Sequence, residues 1–343
     1  MALSKIQVSS MADNTIHGRR NLIINGAMNV AQRGTSFTGV GNGDNGYYLD
    51  RFGFYESGTS SAEFTLSQAS DSPDGFANSM KVDCTTSASL ASNERLFIQQ
   101  RIEGQDLQQL KKGTSSAEKV TLSFHVKSNL TGTAVVMIHD TDNSRQIAKS
   151  YTIDSANTWE KKIITFDGDT TGAFDNDNDT SIRLEFYLQA GSDFTSGTLP
   201  TTWQSFVTAN TAVGQTINVA SSTNNNFYLT GVQLEVGSQA TPFEHRSFGE
   251  ELALCRRYCN ALMNYGAGDV GTNRAYNADY NANTNASFIR INYPQMRAEP
   301  NVVTYGSSQT PSTADYSSNG LLQILKDGSV NWRIYDVIVE SEL

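Results

Sequence analysis

The chain has 343 residues, a formal net charge of −10 and only 17% charged residues. A chain of this length can bury a sizeable core and is long enough for two domains. An acidic chain without clustered Lys and Arg is a poor partner for a phosphate backbone or an anionic membrane surface. We therefore expect no nucleic-acid binding, and no apolar segment long enough for membrane insertion occurs.

Three cysteines and a polar start of the chain indicate where the protein is made. The odd set of Cys84, Cys255 and Cys259 argues against a disulfide framework. The first residues lack the apolar core of a signal peptide. We expect synthesis in a reducing cytoplasm. Residues 1–20 are too polar for a core, and they are either a frayed terminus or an attachment segment that orders on a partner.

From residue 21 to residue 246, short segments repeatedly show the alternation of β-strands. VTLSFHVKS (120–128) and SIRLEFYLQA (181–190) place apolar residues at every second position, which predicts half-buried strands. In the first segment, His125 and Lys127 belong to the face opposite the apolar residues. AVVMIHD (134–140) is a shorter strand of the same kind, and Asn129 with Gly132 suggests a hairpin before it. Successive strands without intervening helices predict an antiparallel jelly-roll sandwich over 21–246.

The segment FYLTGVQLEV (227–236) changes phase along its length. Phe227 and Leu229 share one parity, whereas Val232 and Leu234 have the other. An unbroken strand would place these two pairs on opposite faces of the sheet. We therefore predict a β-bulge at Gly231 that returns both pairs to the buried face.

A short amphipathic helix is predicted over residues 247–264. Ser247 and Glu250 have the spacing of a capping box at its start. Apolar residues then recur at three- and four-residue spacing, which gives one buried stripe. Without nearby histidines, the two cysteines of this stripe are expected in the core rather than in a zinc site. The stripe consists of Leu252, Cys255, Cys259 and Leu262.

The remaining residues, 265–343, predict a second, smaller β-domain. An Asn- and Tyr-rich stretch comes first and is followed by apolar segments of strand length, including LLQIL (321–325) and VNWRIYDVIVE (330–340). Asp327-Gly328 between those two segments is typical of a hairpin turn. The whole chain is thus expected to be mainly β, with one helix between two β-regions.

Several segments resemble a family of tail-fibre and virion proteins of tailed bacteriophages. The matching segments are NLIINGAMNVAQRGTS (21–36), YYLDRFGFY (47–55), NTWEKKIITFDGD (157–169), NNFYLTGVQLEVGSQATPFEHRSFGEELALCRRYC (225–259) and FIRINYPQMRAEPNVV (288–303). The resemblance implies a jelly roll like that of carbohydrate-binding modules, in a homotrimeric virion component near the site of host recognition. The sequence departs from the family pattern at Ala31, where many relatives carry an aromatic residue.

We expect from this resemblance a structural virion protein, a fibre or spike component that is assembled in the host cytoplasm and binds a host-surface glycan. Residues 1–20 would attach it to other virion proteins. A purely structural collar or head-decoration protein is the alternative. No catalytic motif such as GxSxG or HExxH stands in a suitable context, so an enzyme is not expected. A polysaccharide-degrading enzyme would need a defined pair of carboxylates, which the sequence alone cannot place.

Sugar-binding sites combine exposed aromatic faces with polar side chains. Trp203, in the polar segment TLPTTWQSF, is a candidate platform for a sugar ring. Tyr265, Tyr276 and Tyr280 lie in the Asn-rich stretch, which we expect to form a loop, and loops often carry binding residues. Trp159 lies in an amphipathic segment and is expected in the core.

The acidic run DGDTTGAFDNDND (167–179) suggests a structural calcium ion. Asp175, Asp177 and Asp179 have the spacing of the first three ligands of an EF-hand loop. Thr180 then stands where the loop needs glycine, and Phe186 where it needs a bidentate glutamate. The run is therefore either an irregular calcium site or a solvated acidic turn.

Overall fold

The computed structural model describes residues 19–41, 43–58, 60–264, 276–277, 279–281, 286–300, 302–307, 313–317, 320–327 and 333–343. These residues form a mainly antiparallel β-structure with few helices, which confirms the predicted fold class. No helix in this part of the chain has the length and apolar character needed to cross a membrane. The helices are α1 (Ser192–Thr195) and α2 (Phe248–Cys255). The strands are β1 (Ser36–Gly41), β2 (Gly46–Leu49), β3 (Phe52–Ser57), β4 (Glu63–Ala69), β5 (Ser79–Thr86), β6 (Arg95–Glu103), β7 (Val120–Ser128), β8 (Gly132–Asp140), β9 (Arg145–Ile153), β10 (Glu160–Phe166), β11 (Thr180–Ala190), β12 (Gln204–Ser205), β13 (Asn226–Val236), β14 (Cys259–Asn264), β15 (Tyr276–Asn277), β16 (Asp279–Asn281), β17 (Ala286–Asn292), β18 (Val302–Ser307), β19 (Thr313–Ser317), β20 (Leu321–Asp327) and β21 (Arg333–Glu340).

Strands β1 to β13 form a sandwich of two sheets. The six-stranded sheet has the order β1-β4-β5-β13-β7-β10, and the seven-stranded sheet has the order β12-β9-β8-β11-β6-β3-β2. Alternate apolar side chains of both sheets point inward and share one core. Within this core, the Phe124 ring meets Phe186 and Tyr151 of the opposite sheet edge-on, with ring centroids 5.1 and 5.0 Å apart.

The predicted bulge in β13 is confirmed. The register between β13 and β7 shifts between Thr230 and Gln233, and Gly231 has a φ of 62°. As a result, Phe227 and Leu229 before the bulge and Val232 after it are all fully buried. A left-handed backbone conformation at this position favours glycine, which explains how the strand changes phase without exposing its apolar side chains.

The hairpin predicted at 129–132 is wrong. β7 pairs with β13 and β10 in the six-stranded sheet, whereas β8 pairs with β9 and β11 in the seven-stranded sheet. The connection therefore crosses from one sheet to the other, and Leu130 packs against the shared core on the way. The Asn129 side chain is hydrogen-bonded to Asn225 and Asn226 rather than across a two-strand turn.

The helix begins as predicted but ends early. Ser247 and Glu250 form the capping box at the start of α2. The prediction of a helix up to residue 264 is wrong, because α2 ends at Cys255 and Cys259–Asn264 is a strand paired with β21. A bidentate ion pair from Arg257 to the buried Glu103 fixes the intervening turn, so tertiary contacts override the helical spacing of the cysteines.

Strands β14 to β21 form two further sheets of four strands each. In one, β14, β15 and β18 all pair with β21, and the other has the order β16-β17-β20-β19. The hairpin predicted at Asp327-Gly328 is wrong, since β20 and β21 belong to different sheets. That residues 265–343 are a separate domain stays a prediction. Ion pairs hold the end of β21 to the sandwich, since Arg33 binds Glu340 and Glu342, and Arg51 binds Glu342.

Candidate functional site: the outer face of the six-stranded sheet

Four side chains form a row across the outer face of the six-stranded sheet, and we call them the lysine–aromatic row. Lys81 on β5 stands opposite Tyr228 on β13, which stands opposite Lys127 on β7. Trp159 immediately precedes β10, whose first residue pairs with the residue before Lys127. Lys81, Lys127 and Tyr228 have the opposite parity to buried neighbours in their strands. With about 4.8 Å between strands, the row extends over about 14 Å.

Cations and aromatic rings alternate along the row. The Lys127 ammonium lies 4.5 Å from the centroid of the Tyr228 ring and 5.3 Å from that of Trp159. The Lys81 ammonium lies 5.7 Å from the Tyr228 centroid on the other side. Such distances give cation–π attraction, which orients the rings and the lysine stems together.

Two aspartates balance the charge of the two lysines. Asp71 accepts hydrogen bonds from the Lys127 ammonium and, at 3.0 Å, from the indole N–H of Trp159. The hydrogen bond from Lys127 is the main reason why the pKa of Asp71 lies below its usual value. Asp83 pairs with Lys81 at 3.0 Å. Burial lowers the pKa of Lys81, but its contacts with Asp83 and Tyr228 outweigh this and raise it.

The row therefore presents fixed aromatic faces beside two lysines and two aspartates whose formal charges cancel. Trp159 and Tyr228 are half-buried, so part of each ring remains accessible. The prediction that Trp159 lies in the core is wrong, because it precedes an edge strand and its N–H is bonded to an exposed aspartate. Fixed rings contribute contact area at low entropic cost, and the neighbouring carboxylates and the Lys81 ammonium can bond to hydroxyls. The Lys127 side chain is buried and serves to hold the two rings.

An aromatic corner borders the row on the same face. His125 lies two residues before Lys127 on β7, and its ring is 5.2 Å from Phe76. Phe76 also contacts Phe243 and His245, with centroid distances of 5.0 and 5.3 Å. Burial, followed by the charge of Lys161, lowers the pKa of His125. The corner thus adds an apolar wall beside the row, and the lowered pKa of His125 favours its neutral imidazole.

Trp203 lies at a different place, on the end of the sandwich. It is half-buried against the main core, and its indole N–H donates to the carbonyl oxygen of Asp167 at 2.6 Å. It lines a cavity of about 20 Å³, which is too small for a sugar ring. The role of Trp203 as a sugar platform stays a prediction. A sugar would have to stack on the part of the ring that faces outward.

The three aspartates of the calcium prediction are all exposed. The main chain of Asp177 and Asp179 accepts hydrogen bonds from Gln105 and Gly104, and the Asp177 carboxylate accepts from the amide of Asp179 at 3.0 Å. Asp175 lies in the same turn, with its amide bonded to Asp142. In the part of the chain that the structure describes, no three His, Cys, Asp or Glu side chains form a group that could hold a metal ion.

The two described tyrosines of the Asn-rich stretch, Tyr276 and Tyr280, belong to different sheets. Tyr265 lies outside the described residues. Tyr276 belongs to β15, which pairs with β21, and Tyr280 belongs to β16, which pairs with β17. The expectation of a plain loop is therefore wrong for these two positions. Their part in binding stays a prediction.

Sequence reasoning missed Tyr228, although a signal was present. Because Phe227 and Leu229 are buried, the alternation requires Tyr228 to point to the opposite face. The same argument applied to VTLSFHVKS already placed His125 and Lys127 outward. Which outward positions of different strands stand side by side depends on the strand order, and that order is not visible in local alternation.

No protein-family model and no curated protein matches the chain. Among solved structures, it is similar to the enzymatically active domain of a tailspike protein of bacteriophage CBA120, with 11% identity and a TM-score of 0.31 over 54% of this chain. The match spans only 19% of the length of that tailspike.

Two further matches span nearly the whole of much shorter chains. A family 11 carbohydrate-binding module of Clostridium thermocellum matches with 15% identity and a TM-score of 0.29, over 62% of this chain and 98% of the module. A putative sugar-binding protein of Bacteroides thetaiotaomicron matches with 12% identity and a TM-score of 0.32, over 63% and 100%. Similarities this low assign neither a family nor an activity.

Proposed function

We propose that this chain is a non-enzymatic fibre or spike component of a tailed-phage virion and binds a host-surface glycan at the lysine–aromatic row. The row is the observation that carries the binding proposal. Trp159 and Tyr228 combine accessible aromatic area with two lysine–aspartate pairs on one open sheet face. The virion assignment is supported by the sequence resemblance at 21–55 and 225–259.

The charge balance of the row favours an uncharged glycan. Lys127 is neutralised by Asp71, and Lys81 by Asp83, so an acidic sugar would have to displace a carboxylate to reach an ammonium group. A neutral sugar instead stacks its C–H groups on the rings and bonds its hydroxyls to the paired charges at the edges. The length of the row suits several consecutive sugars lying across the strands rather than a single one.

Attachment through residues 1–20 and assembly as a homotrimer belong to the same proposal. The homotrimer rests on the family resemblance, and the attachment rests on the polar character of the first residues. Reconstruction of particles that contain this chain tests its location, its copy number and which end is attached. A position on the collar or head, away from host contact, would favour the purely structural alternative.

The binding proposal is tested with the full-length chain, a glycan array and host-surface polysaccharide in titration calorimetry. Replacing Trp159 or Tyr228 by Ala should weaken binding about tenfold or more, because each ring contributes on the order of 1.4 kcal/mol of contact. Phe248→Ala is the matched control, since Phe248 is an aromatic residue with 59% exposure outside the row.

Two outcomes would contradict the binding proposal. The first is that the wild-type chain retains no glycan from its host, and the second is that both row variants bind as tightly as the wild type. Release of new reducing ends from the polysaccharide during the same incubation would instead support the degrading-enzyme alternative.

A further inference from the structure

An open groove of about 460 Å³ lies at the β2 edge of the seven-stranded sheet, between the sandwich and the end of β21 with the residues that follow it. Its floor includes Tyr47 on β2 and Tyr55 on β3, and its wall is formed by Glu340, Glu342 and Leu343. The volume lies within the range of about 300–1,000 Å³ that is usual for sites of small ligands. The groove is therefore large enough for a small organic molecule.

The two tyrosine rings of the floor are half-buried and held by their neighbours. The Tyr47 ring is nearly perpendicular to that of Tyr55, with centroids 6.4 Å apart. Tyr55 also stacks on Phe97 of β6 at 5.8 Å. It leans over Gly53, because a Cβ atom at that position would lie 2.6 Å from Cε2 of the tyrosine ring. Rings held in this way contribute contact area to a ligand at low entropic cost.

The wall of the groove is tied directly to its floor. The main-chain oxygen of Leu343 accepts hydrogen bonds from the Tyr47 hydroxyl at 3.1 Å and from the Arg101 guanidinium at 2.6 Å. The same guanidinium lies 5.3 Å from the centroid of the Tyr55 ring. These contacts join Leu343 and the two rings into one structure, so the groove is formed before any ligand arrives.

The charges beside the groove favour an uncharged ligand. Arg33 binds both carboxylates of the wall, at 2.7 and 3.0 Å, and Arg51 also binds Glu342. An anion in the groove would meet the two carboxylates, whereas a cation would find them already paired with buried guanidinium groups. The Glu340 side chain is 20% exposed and uses only Oε1 for its ion pair. Because a carboxylate has about four acceptor positions, Glu340 can still accept hydrogen bonds from hydroxyl groups.

We infer that this groove is a second saccharide site, which takes an uncharged sugar that stacks its C–H groups on Tyr47 and Tyr55 and donates hydroxyl hydrogen bonds to Glu340. Aromatic faces beside a few polar acceptors are the usual lining of such sites. The groove and the lysine–aromatic row belong to different sheets, so the inference does not depend on the row. One chain would then hold a glycan at two points, and two linked contacts strengthen attachment without a tighter single site.

The inference is tested with full-length Trp159→Ala/Tyr228→Ala, in which the row has lost both rings. Titration calorimetry with a panel of neutral disaccharides, built from glucose, galactose, mannose and N-acetylhexosamines, should detect one site per chain in this variant. Glucuronic acid and choline serve as the anionic and cationic probes, and neither should saturate the groove. If the row variant binds as well as the wild type, the row proposal fails while the groove remains supported.

Two further substitutions in the row variant locate the remaining binding. Tyr55→Ala should weaken it about tenfold or more, because the stacking ring is lost. Gly53→Ala keeps every ring and carboxylate but displaces the Tyr55 ring, and it should weaken binding about threefold or more. Gly53 has no left-handed backbone, so Gly53→Ala should fold even if Tyr55→Ala does not. Phe248→Ala is the matched control, since this exposed aromatic residue lies outside both sites.

Three results would overturn the inference. The row variant could bind none of the neutral disaccharides, or only the charged probes could saturate it. Alternatively, binding in the row variant could be as tight with Tyr55→Ala and Gly53→Ala as without them, which would place the sugar elsewhere.

Discussion

The two outer faces of the sandwich differ in what lies on them. The seven-stranded sheet is covered by the segment around α1 and residues 206–212, and a second apolar cluster lies beneath it. Tyr187 in this cluster is fully buried. On the six-stranded sheet, Tyr228 and Trp159 remain half-exposed in the lysine–aromatic row. The cluster consists of Phe97, Val135, Met137, Ala148, Tyr187, Ala190, Phe194 and Ala212.

Tyr187 and Tyr228 occupy equivalent positions by alternation, since both point away from the shared core. Their surroundings make the difference. The Tyr187 hydroxyl donates to the buried Glu185 at 2.9 Å, and the Tyr187 carbonyl oxygen accepts from the side chain of Gln215, which follows the covering segment. Among the ring contacts of the described residues, Tyr228 contacts only its neighbours in the row, which are Trp159 and the two lysines. A covered aromatic residue serves stability, whereas an uncovered one is available to a ligand.

The largest expected effect comes from making the same truncation on both faces. Tyr187→Ala should lower the free energy of unfolding by about 3–5 kcal/mol, because it opens a cavity and leaves Glu185 without its hydroxyl partner. Tyr228→Ala should cost only about 1 kcal/mol, mainly in cation–π contacts. Urea unfolding of both variants measures the difference. Similar losses would show that the row is part of the stabilising structure and not a free surface.

The amino-acid sequence was sufficient to predict the sheets but not their arrangement. Alternation and the phase change at Gly231 depend on neighbouring residues, so they are visible locally. Whether β7 pairs with β8 depends on contacts far apart in the chain, and here a crossover between sheets replaced the predicted hairpin. The helix prediction was wrong beyond Cys255 for a similar reason, since pairing with β21 and the Arg257–Glu103 ion pair favoured a strand.

The candidate site was predictable only in parts. The outward parity of Lys127 was recognised, and that of Tyr228 could have been. Trp159 was misplaced because its segment is amphipathic, and the segment's position at a sheet edge is a property of the strand order. The buried ion pairs of Lys112 with Asp140 and Asp169 could not be predicted at all, since the two aspartates come from the end of β8 and from a turn far away in the chain.

Two histidines allow the faces to be compared by pH. On the covered side, His139 stacks on Phe206 with centroids 4.4 Å apart, and burial, followed by Arg183 and Arg95, lowers its pKa to about 3. The unfolded chain then binds a proton that the folded chain does not. This contribution to stability is complete above the unfolded pKa of about 6.5 and is lost as the pH falls from there towards 3.

We therefore expect His139→Gln to flatten the pH dependence of the free energy of unfolding. Relative to its own value at pH 7, the wild type should lose about 2 kcal/mol more than the variant by about pH 5. His125→Gln on the uncovered face should change the slope less, because His125 is only half-buried. Unfolding curves across this pH range give both slopes, and identical slopes for the wild type and His139→Gln would contradict the burial argument.

The smallest effect concerns the bulge that keeps the uncovered face in register. A Cβ atom at Gly231 would lie 2.7 Å from the Phe76 ring and 2.8 Å from His125, whereas one at Gly39 would meet nothing within 4 Å. Both glycines have left-handed backbones, with φ of 62° and 69°, so both Ala variants carry a similar backbone cost. Gly231→Ala should be less stable than Gly39→Ala by about 1 kcal/mol, because it must also displace the corner.

Urea unfolding measures this difference, and glycan titration shows whether the corner takes part in binding. Tyr228 pairs with Lys127 outside the register shift between Thr230 and Gln233, so Gly231→Ala should leave the row intact. A variant that loses stability but keeps its affinity would confine the site to the row, and one that loses affinity as well would extend the site to the corner.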